Sequence, residues 1–126
     1  KQFTPDVGWS DHTLVERDGL KAAKVAIALG ADHVERHFTV LPVGETKDGP
    51  ISITPPMLKE LVSFAHKSRE EQLEEAKAIP EFELMKGLSQ REMSHVELLN
   101  RDYYRGRFAT QVMGKPIYNW EESDYI

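Results

Sequence analysis

Four side chains in the first third of the chain form a set that can do chemistry: Ser10, His12, Glu35 and His37. A hydroxyl, two imidazoles and a carboxylate can hold a divalent cation, orient an oxyanion and move a proton. Spacing adds to this. Side chains alternate faces along a strand, so Ser10 shares a face with His12, and Glu35 shares one with His37. Val34, Arg36 and Phe38 fall on the opposite face. If the two polar faces point the same way, all four groups converge on one patch. The other reading of each histidine, an ordinary hydrogen-bonded or half-exposed strand residue, stays open on spacing alone.

Convergence needs a scaffold, and the intervening sequence supplies one. Gly8-Trp9-Ser10-Asp11-His12-Thr13 and Val34-Glu35-Arg36-His37-Phe38-Thr39 are strand-like, and an apolar-periodic segment ending at Gly30 separates them. A strand–helix–strand unit of this length sets its strands side by side and parallel, so their carboxyl ends meet at one sheet edge. In α/β folds that edge is where active sites are built. Thr13 is in place to cap the helix, which carries Leu14, Ala22, Ala26 and Leu29, with a dent at Asp18-Gly19. Gly30 suits its left-handed C-terminal cap.

Leu41 to Pro50 reads as a long Pro-, Gly- and charge-rich loop, either a functional binding loop or a plain surface connection. Thr54-Pro55 opens a helix with Met57, Leu61, Phe64 and Ala65 on one stripe. Its continuation from Arg69 to Glu75 is a charge run, expected to be a solvated face. Pro80 ends it, and Phe82 to Met85 forms a short apolar turn closed by Gly87. Ser89-Gln90-Arg91-Glu92 has capping-box spacing, which predicts a helix to about Leu99. Beyond Asp102, the aromatics Tyr103, Tyr104, Phe108, Tyr118 and Trp120 around Gly114 predict a hairpin or an extended tail. Arg101, Arg105 and Arg107 either hold an anion or pair with acidic neighbours.

The 126 residues are 40% hydrophobic and 29% charged, which fits a globular domain. A net charge of −5 argues against non-specific nucleic-acid binding. No apolar run reaches membrane-span length and no secretory pattern opens the chain. Without cysteine there is neither disulfide nor thiol nucleophile. Walker, His-Glu-x-x-His and internal-repeat patterns are absent from the sequence. Because the chain opens on Lys1, a piece of a longer protein, a processed form or a trimmed form is expected.

The Gly8-to-Thr13 block, Gly30-Ala31, and the Val34-to-Thr39 block together resemble the sialic acid synthase family, over about residues 4 to 66. These enzymes join phosphoenolpyruvate to N-acetylmannosamine or a related amino sugar, release phosphate, and make nonulosonic acids. The resemblance implies α/β architecture: the last two βα units of a (β/α)8 TIM barrel over 1–79, followed by a mostly helical C-terminal extension over 80–126. A whole barrel needs about 250 residues, so a C-terminal fragment of the synthase, inactive alone, is expected. The antifreeze-like domain of many synthases is not visible in residues 91–126.

By the same resemblance, His12 and His37 hold a divalent metal, Mn²⁺ or Mg²⁺. Glu35 is the catalytic carboxylate, positioning or deprotonating the water that adds to the intermediate. Ser10 binds the phosphate of phosphoenolpyruvate, and Asp11 supports one histidine from behind. Where the family carries Pro-Gly-Pro-Asp-His-Lys-Ala-Ser, this chain has Thr46-Lys47-Asp48-Gly49-Pro50-Ile51-Ser52. Asp48 and Ser52 keep their places as substrate-binding residues, while Gly49 and Pro50 replace the histidine and lysine and leave the sugar open. A cytoplasmic homo-oligomer without nucleic-acid or membrane partners is expected, since orphaned strands favour self-association. The alternative is a non-catalytic, synthase-derived structural or assembly module.

Overall fold

A computed structural model describes residues 4–104 and 108–118, which divide into two compact units, 1–87 and 88–126. Phe82 is buried in the first unit's core.

The first unit opens with β1 (Gly8–Asp11), a one-turn α1 (Val15–Asp18), α2 (Lys21–Leu29) and β2 (His33–Arg36). The strands pair in parallel with Ser10 opposite Glu35 and Asp11 opposite Arg36. One expectation about the helix needs correcting. Gly19, at φ 56°, separates α1 from α2, and Thr13 caps neither: the residue ahead of α1 is Leu14, with no side-chain cap. The Gly30 cap is left-handed as expected, its N–H donating to the Ala26 and Ile27 carbonyls.

After β2 the backbone continues one parallel step further, where Phe38 bridges Ile53. Ile53 N–H donates to the His37 carbonyl at 2.8 Å, and Thr39 N–H to the Ile53 carbonyl at 3.0 Å. The loop between them folds into two 3-10 turns, Val43–Glu45 and Gly49–Ile51. They are packed so closely that a Cβ on Gly49 would lie 2.0 Å from the Val43 carbonyl oxygen. Only glycine fits there.

Next come α3 (Pro55–Ala65), α4 (Arg69–Lys77) and α5 (Phe82–Met85). Prolines 55 and 56 start α3, where their missing N–H groups cost nothing. The charge run does not continue α3. Ser68 and Glu71 form a reciprocal capping box that begins a new helix. The buried Gln72 amide closes the end of α3, donating to the Ala65 and Lys67 carbonyls at 3.0 and 3.2 Å. The glutamates of α4 are exposed as expected, while Ala76 is buried.

Two apolar clusters hold this unit together. Val25 and Ala28 of α2 meet Phe64, Ala76 and Phe82. Leu20 and Ala23 meet Ile53 and Leu61. Helix α2 therefore lies between the sheet and the later helices, fixing β1 and β2 by burial of roughly 1.5–3 kcal/mol per large apolar side chain. The outer edge of β1 is open. Beside it runs a groove of about 760 Å³ lined by Trp9, Ala22, Val25, Leu29, Leu84 and Met85.

The second unit contains α6 (His95–Tyr104), β3 (Phe108–Val112) and β4 (Lys115–Tyr118). Its helix starts later than predicted from Ser89. The capping box in use is Ser94–Glu97: Ser94 N–H donates to Glu97 Oε2 at 2.7 Å, and Glu97 N–H to Ser94 Oγ at 3.3 Å. Of the two forms expected for the aromatic tail, the structure has the antiparallel hairpin, turning at Met113 and Gly114 with φ 50° and 77°. Arg105, Arg107 and Trp120 lie outside the described residues, as does the Arg101 side chain.

Candidate functional site

Parity and register together build the site. With Ser10 opposite Glu35, the side chains two residues on, His12 and His37, leave the strand ends in step. Ser10 Oγ donates to Glu35 Oε2 at 2.5 Å and lies 3.5 Å from His12 Nδ1. His12 Nε2 and His37 Nε2 approach to 3.2 Å, one donating and the other accepting, with ring centroids 4.9 Å apart and ring planes at 62°. Across His37, its Nδ1 stands 3.7 Å from Asp48 Oδ2, too far for a hydrogen bond. Five expected residues thus form one continuous string: Glu35, Ser10, His12, His37, Asp48. The string is open to solvent, with Ser10, His12 and Glu35 exposed and the His37 and Asp48 side chains 30% and 50% accessible.

Two expected site residues are placed otherwise. Asp11 is nearly fully buried, and its Oδ1 accepts from Thr13 N–H at 2.9 Å and Thr13 Oγ1 at 2.7 Å. The same oxygen pairs with Arg36 Nη1 at 2.5 Å. It makes no hydrogen bond to an imidazole: one residue from His12 along the chain, its carboxylate faces the other side of the sheet. Among the described residues, Asp48 is the carboxylate within 4 Å of an imidazole nitrogen. Ser52 is also buried, and its hydroxyl donates to the Asp48 carbonyl at 2.7 Å. Its donor braces the loop rather than facing the patch. Gly49 explains the sequence departure at this loop, since the tight crossing over Val43 leaves no room for a larger residue.

Arg36 and Thr13 had no part in the expected site. Arg36 Nη1 donates to the Asp11 carbonyl and to Thr13 Oγ1, and Nη2 donates to the Thr13 carbonyl, at 2.9 to 3.1 Å. An aspartate and an arginine at facing strand positions, on the side a helix must cover, was the available signal.

The donor chemistry fits a divalent cation in part. Two imidazole nitrogens 3.2 Å apart suit neighbouring positions on one ion, whose nitrogen ligands stand about 2.1 Å away. Among the described residues no group of three or more His, Cys, Asp or Glu side chains is placed to hold a metal. An ion at the pair would therefore complete its shell with water or substrate oxygen, as catalytic sites with open positions do. None of the four strand residues lines the apolar groove beside β1.

A parallel strand–helix–strand unit with facing histidines at its strand ends defines a class of α/β site. The family follows from comparison: the NeuB family model matches residues 1–77. The chain belongs to the NeuB family, in agreement with the sialic acid synthase resemblance. It is similar to the uncharacterized protein MJ1065 of Methanocaldococcus jannaschii, 44% identical over 61 residues, covering 48% of this chain and 17% of that protein. The chain thus spans under a fifth of that relative's length. No solved structure matches. Among the described residues no helix is long and apolar enough to cross a membrane.

Proposed function

We propose that this chain carries the last two βα units of a (β/α)8 synthase that condenses phosphoenolpyruvate with N-acetylmannosamine or a related amino sugar and releases phosphate. The supporting observation is the 3.2 Å approach of His12 and His37 from matched positions just past the ends of two parallel strands. Family membership supports a synthase-type enzyme acting on sugar and phosphoenolpyruvate-type substrates. The open β1 edge and its apolar groove support the barrel reading, because a further strand and helix would cover both.

In this proposal His12 and His37 hold Mn²⁺ or Mg²⁺. When bound, such an ion supplies Lewis acidity to the sugar aldehyde oxygen. The chain's own groups do the rest. Glu35 holds the attacking water and takes its proton, a general-base role open to an exposed carboxylate at a strand end. The Ser10 hydroxyl, which donates to Glu35 here, turns toward the substrate phosphate. Asp48 accepts hydrogen bonds from sugar hydroxyls across the patch. The assembly is a cytoplasmic homo-oligomer, with the groove covered by further protein.

Manganese titration of the chain by calorimetry tests the metal part: uptake that His37→Ala abolishes is expected, and absence of Mn²⁺ and Mg²⁺ uptake would end the proposal. The second reading, a non-catalytic assembly module, is favoured by the lack of a third protein donor among the described residues. Phosphate release from phosphoenolpyruvate by the full enzyme containing this segment, lost in His12→Ala, separates the two.

A further inference from the structure

We propose that Arg36, Asp11 and Thr13 are positioning residues: a buried clamp that aims the His12 imidazole at His37. The proposal rests on reading that histidine pair as the functional site.

The strand ladder cannot do this aiming. Pairing of β1 with β2 ends at Asp11 opposite Arg36, so His12 lies one residue beyond the last ladder position. A histidine in an unpaired exit turn is free to swing by several ångströms. Here the turn is locked from beneath. Asp11 Oδ1 accepts from both the N–H and the hydroxyl of Thr13, closing a side-chain turn around the residue between them, His12. Arg36 then grips both flanks of His12, donating to the Asp11 carbonyl at 3.1 Å and to the Thr13 carbonyl at 2.9 Å. Its fixed planar fork makes these contacts together, with little freedom to lose. None of these bonds touches an imidazole.

Arg36 is also the last residue of β2, immediately before His37. One guanidinium therefore sets the turn that carries His12 against the strand end that leads into His37. The pair is deeply buried, with 3% and 0% of the Arg36 and Asp11 side chains accessible. Asp11 Oδ2 and Arg36 Nε have no hydrogen-bond partner. A buried ion pair with unsatisfied atoms is a poor device for stability, since desolvation offsets much of the attraction. It is a good one for fixing geometry, because the surrounding low dielectric penalises any other arrangement of the two charges.

The experiment reads ring proximity directly, by nuclear Overhauser contacts between His12 and His37 ring protons in the metal-free chain. Thr13→Val removes the hydroxyl at equal volume and should abolish the contact; Thr13→Ser should restore it. Phe64→Leu, which disturbs the core away from the clamp, should keep it. In Thr13→Val the Mn²⁺ dissociation constant should rise about tenfold, the usual scale for loss of a supporting shell. Retention of the ring contact in Thr13→Val, equal loss in Phe64→Leu, or no contact in the unmodified chain would overturn the clamp. If Arg36→Met does not fold, the two Thr13 variants still decide. A normal ring contact without Mn²⁺ or Mg²⁺ uptake leaves the clamp standing and removes the metal reading alone.

Discussion

The two faces of the β1–β2 ribbon come from the same eight residues and do opposite jobs. One face presents Ser10 and Glu35 to solvent, with His12 and His37 just beyond. The other buries the Asp11 and Arg36 side chains. The groups proposed to meet a ligand are wet, whereas the groups that hold the backbone are dry and heavily hydrogen-bonded. The difference teaches that burial, not residue type, separates support from chemistry here: each face carries one carboxylate and basic partners.

The sharpest break of this comparison is Arg36→Met. It leaves Asp11 as an unpaired buried carboxylate, and loss of one partner of such a pair costs about 3–5 kcal/mol. Urea unfolding followed by circular dichroism should show that loss; a change below about 1 kcal/mol would erase the distinction between the faces.

Gly49→Ala comes next. Its methyl would meet the Val43 carbonyl oxygen at 2.0 Å, so the two 3-10 turns must part. Overpacking of this kind costs about 1–3 kcal/mol. The added consequence lies on the open face, because Asp48 precedes Gly49 and should move away from His37. Loss of Mn²⁺ affinity together with stability would show that this loop serves both faces; stability loss with unchanged affinity would confine it to packing.

On the open face itself, His12→Ala and His37→Ala should change stability by no more than about 1 kcal/mol, because the contacts they lose lie open to solvent. Both should abolish Mn²⁺ uptake. A histidine variant that unfolds the chain would merge the two faces into one structural unit.

The open face was legible in the sequence because it obeys a period-2 rule that needs no tertiary knowledge. Ser10, His12, Glu35 and His37 follow from parity, and the parallel pairing sets them in step. The same rule places the Asp11 side chain on the face opposite His12, so any support it gives that histidine runs through the backbone turn and not through a bond to the ring. What parity cannot show is which side α2 will cover, and so Arg36 went unassigned. Helix starts were less legible. Ser68-Arg69-Glu70-Glu71, Ser89-Gln90-Arg91-Glu92 and Ser94-His95-Val96-Glu97 all have capping-box spacing. The structure uses the first and third. A cap stabilises by only about 1 kcal/mol, too little to choose a helix start against packing. The barrel expectation comes from the family resemblance and not from parity or periodicity, because two strands do not close a barrel.

The smallest expected effect compares two ion pairs in different solvents. Arg91 forks onto both Glu97 oxygens at 2.6 and 2.7 Å, but with side chains 54% and 43% accessible. The Arg91 hydrogen bonds, with further help from Ser94, hold the Glu97 carboxyl well below the usual carboxylate range. A lowered folded value means the contribution is present above that range and fades as pH falls through the lowered value. It should also weaken in about 1 M salt, where screening acts within roughly 3 Å. Asp11 and Arg36, sealed from ions, should not respond to salt. Protection factors of the amides in the first turn of α6, corrected for the intrinsic pH dependence of exchange, should therefore fall at acid pH and in high salt, while that of the Thr13 amide stays high. Equal salt sensitivity at the two positions would mean that solvent reaches the clamp, and the contrast between the faces of the ribbon would lose its physical basis.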